Sequence, residues 1–417
     1  MKLLLFANVP PPHHGQSFMV QLVLDGFGGD ARQKKSSPGS PEKSFSIQCF
    51  HVDARYSENV DAIGQVHWKK ILRLFQYCAQ AFYLRWRFGV RNFFYVPAPG
   101  LRSAIYRDWL VMLLCRPFFR RVIFYWQAAG LGEWLVAGAR PWERWVTRRL
   151  LGKPDLSIVL GEFCRRDATA LNSRQTEVIP NGVPDPCPEF DREILPLRQA
   201  RLSARSKMLS GQPMTDVELV HGGQAPHIFQ VLFLSLCYRE KGLFDAVEAV
   251  ALVNQRLRNT PIRVRLTVAG DFFRPSEKAE FRDRITQLDL RDADLPEEWL
   301  VRYVGFVSGE RKRRLFLESD CFCFPSYYAA ESFGIVLVEA MAWGLPIITT
   351  RWRTIPELLP PDYPGLVDPR SPKQIASVME NFLPASHSEQ LRRRYLEHYT
   401  ATKHVERLKA ALENLGP

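Results

Sequence analysis

Short apolar runs alternate with stretches of helical period along almost the whole chain, and that alternation leaves few folds open. Lys2–Val9, Ser46–Val52, Phe93–Val96, Val122–Trp126, Leu156–Leu160 and Glu177–Pro180 read as strands. Helical patterns such as Phe18–Phe27 lie between them. Strands joined through helices pair in parallel, so the pattern predicts an α/β fold, a parallel sheet with helices on both faces. The series pauses at Pro184–His227, a polar stretch with one candidate helix at Glu193–Leu209. It resumes with Ile228–Leu236, Val264–Ala269, Val301–Val304, Cys321–Pro325 and Pro346–Thr350. Two α/β units in tandem are expected. The first spans 1–185, a linker with insertion 186–227, and the second unit 228–387. A charged helical tail at 388–417 is expected to pack back on the first unit. With 417 residues, 46% of them hydrophobic, the chain can bury two cores.

The most informative stretch is Ser319–Thr350. It reads as a strand, a loop, a helix stopped by Gly344 and another strand. Ligands of open α/β sheets bind beyond the carboxyl ends of strands. The helix N-terminus at Phe333-Gly334-Ile335 offers backbone N–H groups and a dipole to an anion, and Gly334 permits close approach. Glu331 and Glu339 bracket that N-terminus. A carboxylate accepts two hydroxyl hydrogen bonds, which suits the diols of a sugar or ribose. Phosphate held between two such carboxylates describes a nucleotide-sugar. A Glu pair at this spacing arises by chance in a chain of this size; its place on a strand–loop–helix ended by Gly-x-Pro gives it weight.

Further motifs stand in order around it: Pro10-Pro11-Pro12-His13-His14-Gly15-Gln16-Ser17, Val178-Ile179-Pro180-Asn181-Gly182-Val183, Phe233–Leu236 with Glu240-Lys241-Gly242, Val268-Ala269-Gly270-Asp271, Val304-Gly305-Phe306-Val307, and Gly344-Leu345-Pro346 with Pro356-Glu357. Together with Glu331 and Glu339 they resemble glycosyltransferase family 4. These are retaining enzymes of the GT-B fold, with two Rossmann-like domains facing across a cleft. The resemblance covers nearly the whole chain. It implies transfer of a hexose from a UDP- or GDP-sugar to an acceptor hydroxyl, by front-face attack in which the leaving diphosphate helps take the acceptor proton. Lys241 and Arg239 would stabilise the diphosphate with the helix end. Glu331 would hold the donor hexose and Glu339 the ribose. Gly15, Ser332, Phe333, Gly334 and Ile335 complete the donor side, and His13, His14, Gln127 and Asn181 the acceptor side. Domain closure would exclude water. The sequence departs from the family at three places. Leu236 stands where an arginine is common, Arg353-Thr354 replaces Gly-Gly, and Gln127 follows the strand where many members carry histidine.

Other chemistries find less support. A retaining hydrolase needs two carboxylates across one bond, and Glu331 and Glu339 lie a turn or more apart. Asp292-Ala293-Asp294 mimics a metal motif but sits away from any strand end, and adjacent His13-His14 cannot easily share one metal. No cofactor or metal is expected. A non-catalytic nucleotide-sugar-binding protein and a nucleotide-sugar epimerase are the alternatives.

The net charge is +12. It comes from one segment, Trp68–Lys153, which holds 16 Lys+Arg against 3 Asp+Glu and 7 of the 10 tryptophans. Trp68, Ile71, Leu72, Phe75, Cys78, Phe82 and Trp86 recur at helical spacing beside Lys69, Lys70, Arg73, Arg85 and Arg87, and Pro141-Trp142-Glu143-Arg144-Trp145 opens another basic helix. Basic helices with Trp and Phe are a membrane-interface pattern. Arg116, Arg120 and Arg121 add to it. An anionic membrane surface fits this better than nucleic acid, and a polyprenyl-linked or other glycan acceptor would explain charge and aromatics together. The eight cysteines lack any metal spacing and read as buried thiols. No run reaches a membrane span. The expected location is cytoplasmic, peripheral at the inner face of the cell membrane.

Overall fold

The computed structural model describes residues 1–11, 15–33, 46–55, 68–213, 226–291 and 298–416. They divide into two compact units. One comprises Met1–Gly182, Ala329–Phe333 and Ala401–Pro417, the other Val183–Tyr328 and Gly334–Thr400.

The first unit holds a six-stranded parallel sheet in the order β2-β1-β3-β4-β5-β6. Its strands are β1 (Lys2–Phe6), β2 (Gln48–Val52), β3 (Asn92–Tyr95), β4 (Arg121–Tyr125), β5 (Leu156–Val159) and β6 (Thr176–Val178). Every residue of β3 and β5 is buried. Strands covered on both faces read as continuous apolar runs, which is why these two stand out in the sequence. The connecting helices are α1 (Gly15–Gly26), α2 (Trp68–Phe88), α3 (Arg102–Cys115), α4 (Pro141–Leu150) and α5 (Arg165–Ala170). Only the step from β1 to β2 runs opposite to the later ones. Right-handed crossovers therefore put α1 on one face and α2, α3 and α4 side by side on the other, and α3 packs on both neighbours. The core face of α2 is Leu74, Cys78, Ala81 and Leu84. The expected apolar stripe is thus displaced: Cys78 is in the core, whereas Leu72, Phe75 and Trp86 are exposed.

In the second unit the sheet order is β12-β11-β10-β7-β8-β9, again all parallel. The strands are β7 (Ile228–Leu234), β8 (Arg263–Ala269), β9 (Val301–Gly305), β10 (Cys321–Phe324), β11 (Ile347–Thr350) and β12 (Leu366–Val367). The main helices are α6 (Leu195–Leu209), α7 (Leu243–Arg256), α8 (Pro275–Gln287), α9 (Gly309–Glu318), α10 (Ile335–Ala342), α11 (Pro372–Phe382) and α12 (Ser388–His398).

The polar stretch after residue 182 departs from the expected linker at 186–227. Its described part, through residue 213, is built into the second unit. Arg198, Arg201 and Arg205 share one face of α6 and are all buried. Arg198 donates to the carbonyls of Phe316 and Ser319 (3.1 and 2.9 Å), and Arg201 to those of Leu317 and Glu318 (3.0 and 3.2 Å). Arg205 donates to Asp320 Oδ2 at 2.9 Å. Cations placed on the unsatisfied carbonyls at the end of α9 also meet the negative end of its dipole. The tail divides as well. Helix α12 belongs to the second unit and the last helix, α13 (Ala401–Asn414), to the first. A Cβ on Gly26 of α1 would come within 2.6 Å of Val405 of α13, so these helices touch backbone to side chain.

Candidate functional site

In the second sheet the strand order reverses between β7 and β10. A crevice opens at the carboxyl ends of strands at such a switch point. The two loops that flank it are Ser235–Gly242 after β7 and Pro325–Gly334 after β10. They are stitched together, with the Tyr327 N–H donating to the Glu240 carbonyl at 2.8 Å. Gly242 has φ +79°, and a Cβ there would lie 2.2 Å from the Pro325 carbonyl oxygen. Only glycine meets both conditions. That turn sets Lys241 with its Nζ 4.7 Å from the Tyr328 ring centre and 5.5 Å from that of Phe324. The ammonium thus lies against two aromatic rings at the strand ends.

Gly334 caps α10 at φ +76° and turns the chain into that helix. Glu339, one turn in, accepts a hydrogen bond from Lys312 Nζ at 2.6 Å. Arg239, expected beside the diphosphate, has a carboxylate partner in the second unit. Its guanidinium pairs with Glu280, which raises its pKa, and lies 4.4 Å over the Phe244 ring. Asp245, in the first turn of α7, is pushed up to about 6 by burial, with Glu248 adding to the effect. Arg353 stands at φ +51°, a left-handed backbone that glycine adopts more easily.

In the first unit a hydrogen-bonded group gathers beyond β4. Gln127 and Asn181 exchange amide hydrogen bonds at 3.2 and 3.0 Å. His404 of α13 is fully buried, with Nδ1 2.8 Å from the Pro180 carbonyl and Nε2 3.0 Å from the Tyr125 hydroxyl. A neutral ring that donates from Nδ1 accepts from Tyr125 at Nε2. The Tyr125 hydroxyl also lies 3.2 Å from the Asn181 side-chain oxygen. Burial holds His404 down at about 4. Residues Ala329–Phe333 lie along the same group. Ser332 donates to the Gln127 carbonyl at 2.7 Å, and the Ala129 N–H to the Ala330 carbonyl at 3.4 Å. Glu331 and Phe333 are buried there.

The expected site residues therefore fall into two sets. Gln127, Asn181, Glu331, Ser332 and Phe333 come together in the first unit, where Gly15 opens α1. Lys241, Arg239, Gly334, Ile335 and Glu339 belong to the second. His13, His14 and the Asp292–Asp294 pair lie outside the described residues. Among the described residues no group of three or more His, Cys, Asp or Glu is placed to hold a metal ion. All eight cysteines are buried and none forms a disulfide. Four partners were not expected from sequence: Tyr125, His404, Lys312 and Glu280. Lys312 sits in the run Glu310–Arg314, which reads as a solvated helix face, and His404 in a tail with no motif.

Residues 226–400 match the family described as Glycosyl transferases group 1. The amylovoran biosynthesis glycosyltransferase AmsK of Erwinia amylovora is 27% identical over 206 residues, 46% of this chain and 47% of that protein. The MMP alpha-(1->4)-mannosyltransferase of Mycolicibacterium hassiacum is 30% identical over 264 residues, 60% of this chain and 52% of its own length. The chain thus spans about half the length of these curated relatives. HepE of Anabaena, solved with UDP and glucose, superposes with a TM-score of 0.60 at 16% identity, covering 99% of this chain and 100% of that one. At that identity the likeness shows the fold, and the fold is GT-B.

Proposed function

From the premise that residues 226–400 form a group 1 glycosyl transferase domain, we propose that the chain is a retaining hexosyltransferase. It moves a sugar from a UDP- or GDP-sugar to a lipid-linked or otherwise membrane-proximal glycan, in bacterial surface polysaccharide assembly. The observation that carries the reading is the family match itself, which spans the switch-point loops with Lys241, Gly334 and Glu339. The relative in amylovoran biosynthesis supports the polysaccharide setting. In this reading Lys241 and the N–H groups at Gly334 and Ile335 stabilise the charge that grows on the diphosphate as the glycosidic bond breaks. Arg239 joins them only by leaving Glu280. Glu339 takes the ribose diol, with Lys312 orienting its carboxylate. Glu331 holds the hexose hydroxyls, and Gly15, Ser332 and Phe333 shape the donor side. His13, His14, Gln127 and Asn181 meet the acceptor. The leaving diphosphate takes the acceptor proton, and the reaction uses no metal. The enzyme works at the inner face of the cell membrane.

The test is Glu331→Ala assayed with UDP- and GDP-sugars and membrane-extracted acceptors. Transfer should fall at least about 100-fold, while the thermal shift given by the free nucleotide is retained. Unchanged transfer would remove Glu331 from the mechanism. The pairing of Arg239 with Glu280 and the lack of a histidine beside Gln127 favour a second reading, a nucleotide-sugar-binding protein without catalysis. A thermal shift with donor but no turnover on any acceptor extract would select it.

A further inference from the structure

We propose that the outer face of α2, α3 and α4 is the surface on which the first unit rests on an anionic lipid membrane. The proposal deepens the membrane-proximal acceptor above. Its test reads lipid binding alone, so it can fail while transfer stands, or stand while transfer fails.

Burial sharpens the charge of this face. Of the three acids in Trp68–Lys153, Asp108 and Glu143 are fully buried. Asp108 accepts from the Tyr95 hydroxyl and the Ala98 N–H, both at 2.7 Å. Glu143 accepts from Arg102 at 3.0 Å and from the Arg140 N–H at 2.6 Å. Only Glu133 reaches solvent, and it pairs with Arg166. Several arginines are also committed to backbone carbonyls: Arg85 to Phe118, Arg116 to Leu150, Arg121 to Gly416 and Arg144 to Val136. The side chains of Arg87, Arg148 and Arg149 are exposed and make no hydrogen bond or ion pair among the described residues.

Beside these cations stand large apolar side chains with no cover. Trp86 is 70% exposed, Leu72 62%, Leu113 55%, Val136 76% and Trp145 69%. They lie on helices of one sheet face, or on the turn leading into α4, directed away from the sheet. Tryptophan at headgroup level with arginine beside it is the composition of a membrane interface. The aliphatic members decide between partners. A single nucleic-acid strand stacks on aromatic rings and gains little from Leu72, Leu113 or Val136, whereas the acyl boundary buries them. Among the described residues no helix is long and apolar enough to cross a membrane, so the contact is lateral.

The experiment is co-sedimentation of the full chain with phosphatidylcholine vesicles, with and without phosphatidylglycerol. Binding should require phosphatidylglycerol and weaken with salt. Arg148→Gln with Arg149→Gln should weaken it about 30-fold, at roughly five-fold per lost cation. Trp145→Ala should weaken it further with an unchanged circular dichroism spectrum. Arg393→Gln, on α12 of the second unit, should leave it unaltered. In case the variants misfold, quenching of wild-type tryptophan emission by brominated phosphatidylglycerol is an independent readout, and quenching is expected. Equal binding to both vesicle types, undiminished binding by the double variant, absence of quenching, or capture of a single-stranded oligonucleotide in place of vesicles would each overturn the proposal.

Discussion

His404 makes the first unit sensitive to acid in a way that can be worked out beforehand. The ring is buried between the Pro180 carbonyl and the Tyr125 hydroxyl, with the like charge of Arg407 opposing protonation. In the folded chain it titrates at about 4, against an ordinary 6.5. The unfolded chain takes its proton first as the pH falls. Stability is therefore complete above pH 6.5 and is lost as the pH falls toward 4. A gap of this size corresponds to about 3 kcal/mol. The perturbation is His404→Gln, whose amide can still donate to Pro180 and accept from Tyr125 but does not titrate. Urea unfolding of both proteins should be followed between pH 7 and pH 4. The variant is expected to start less stable, and the difference should close by about 3 kcal/mol as the pH falls. Hydrogen exchange across Ala401–Asn414 should show the same convergence locally. Parallel pH profiles would refute the argument, since every other titrating group is common to the two proteins.

Asp320→Asn should cost about 3–5 kcal/mol in urea unfolding, because it leaves Arg201 and Arg205 buried beside a neutral group; a loss below about 1 kcal/mol would show that water reaches them. Gly242→Ala should lower the melting temperature and weaken nucleotide binding together. Its backbone is left-handed and its Cβ would overlap the Pro325 carbonyl, so a variant with unaltered stability would mean that the loop carrying Lys241 shifts without cost.

The strands were legible because parallel strands covered on both faces are spelled almost wholly in apolar residues. Ile228–Leu234 and Cys321–Phe324 show it plainly. Leu366–Val367, two residues long, offers no pattern to read. What sequence hides is the fate of charge. Arg198 and Arg201 are bonded to the carbonyls that close α9, and Arg205 to the Ile228 carbonyl and the Asp320 carboxylate, none of which the local sequence announces. The same blindness affects the candidate site. The positions of Lys241 and Gly334 follow from strand ends and glycines, which local sequence encodes. The pairing of Arg239 with Glu280, of Glu339 with Lys312 and of Tyr125 with His404 depends on partners 27 to 279 residues away. In α2 the error was one of phase: apolar residues occupy more than one face, so periodicity alone could not say which looked inward.

The return of α13 to the first unit has a consequence for synthesis. Apart from Ala329–Phe333, the chain between Gly182 and Ala401 builds the second unit, so the helix that supplies His404 and lies on α1 is made roughly 220 residues after the sheet it covers. At ribosomal speeds that is a delay of roughly 10–45 s. During it α1 alone covers its face of the first sheet, and the strip around Gly26 that Val405 later fills stays open. A nascent chain stalled anywhere in the second unit should therefore present that strip to chaperones, and should lose it as a binding site once residues 401–414 emerge.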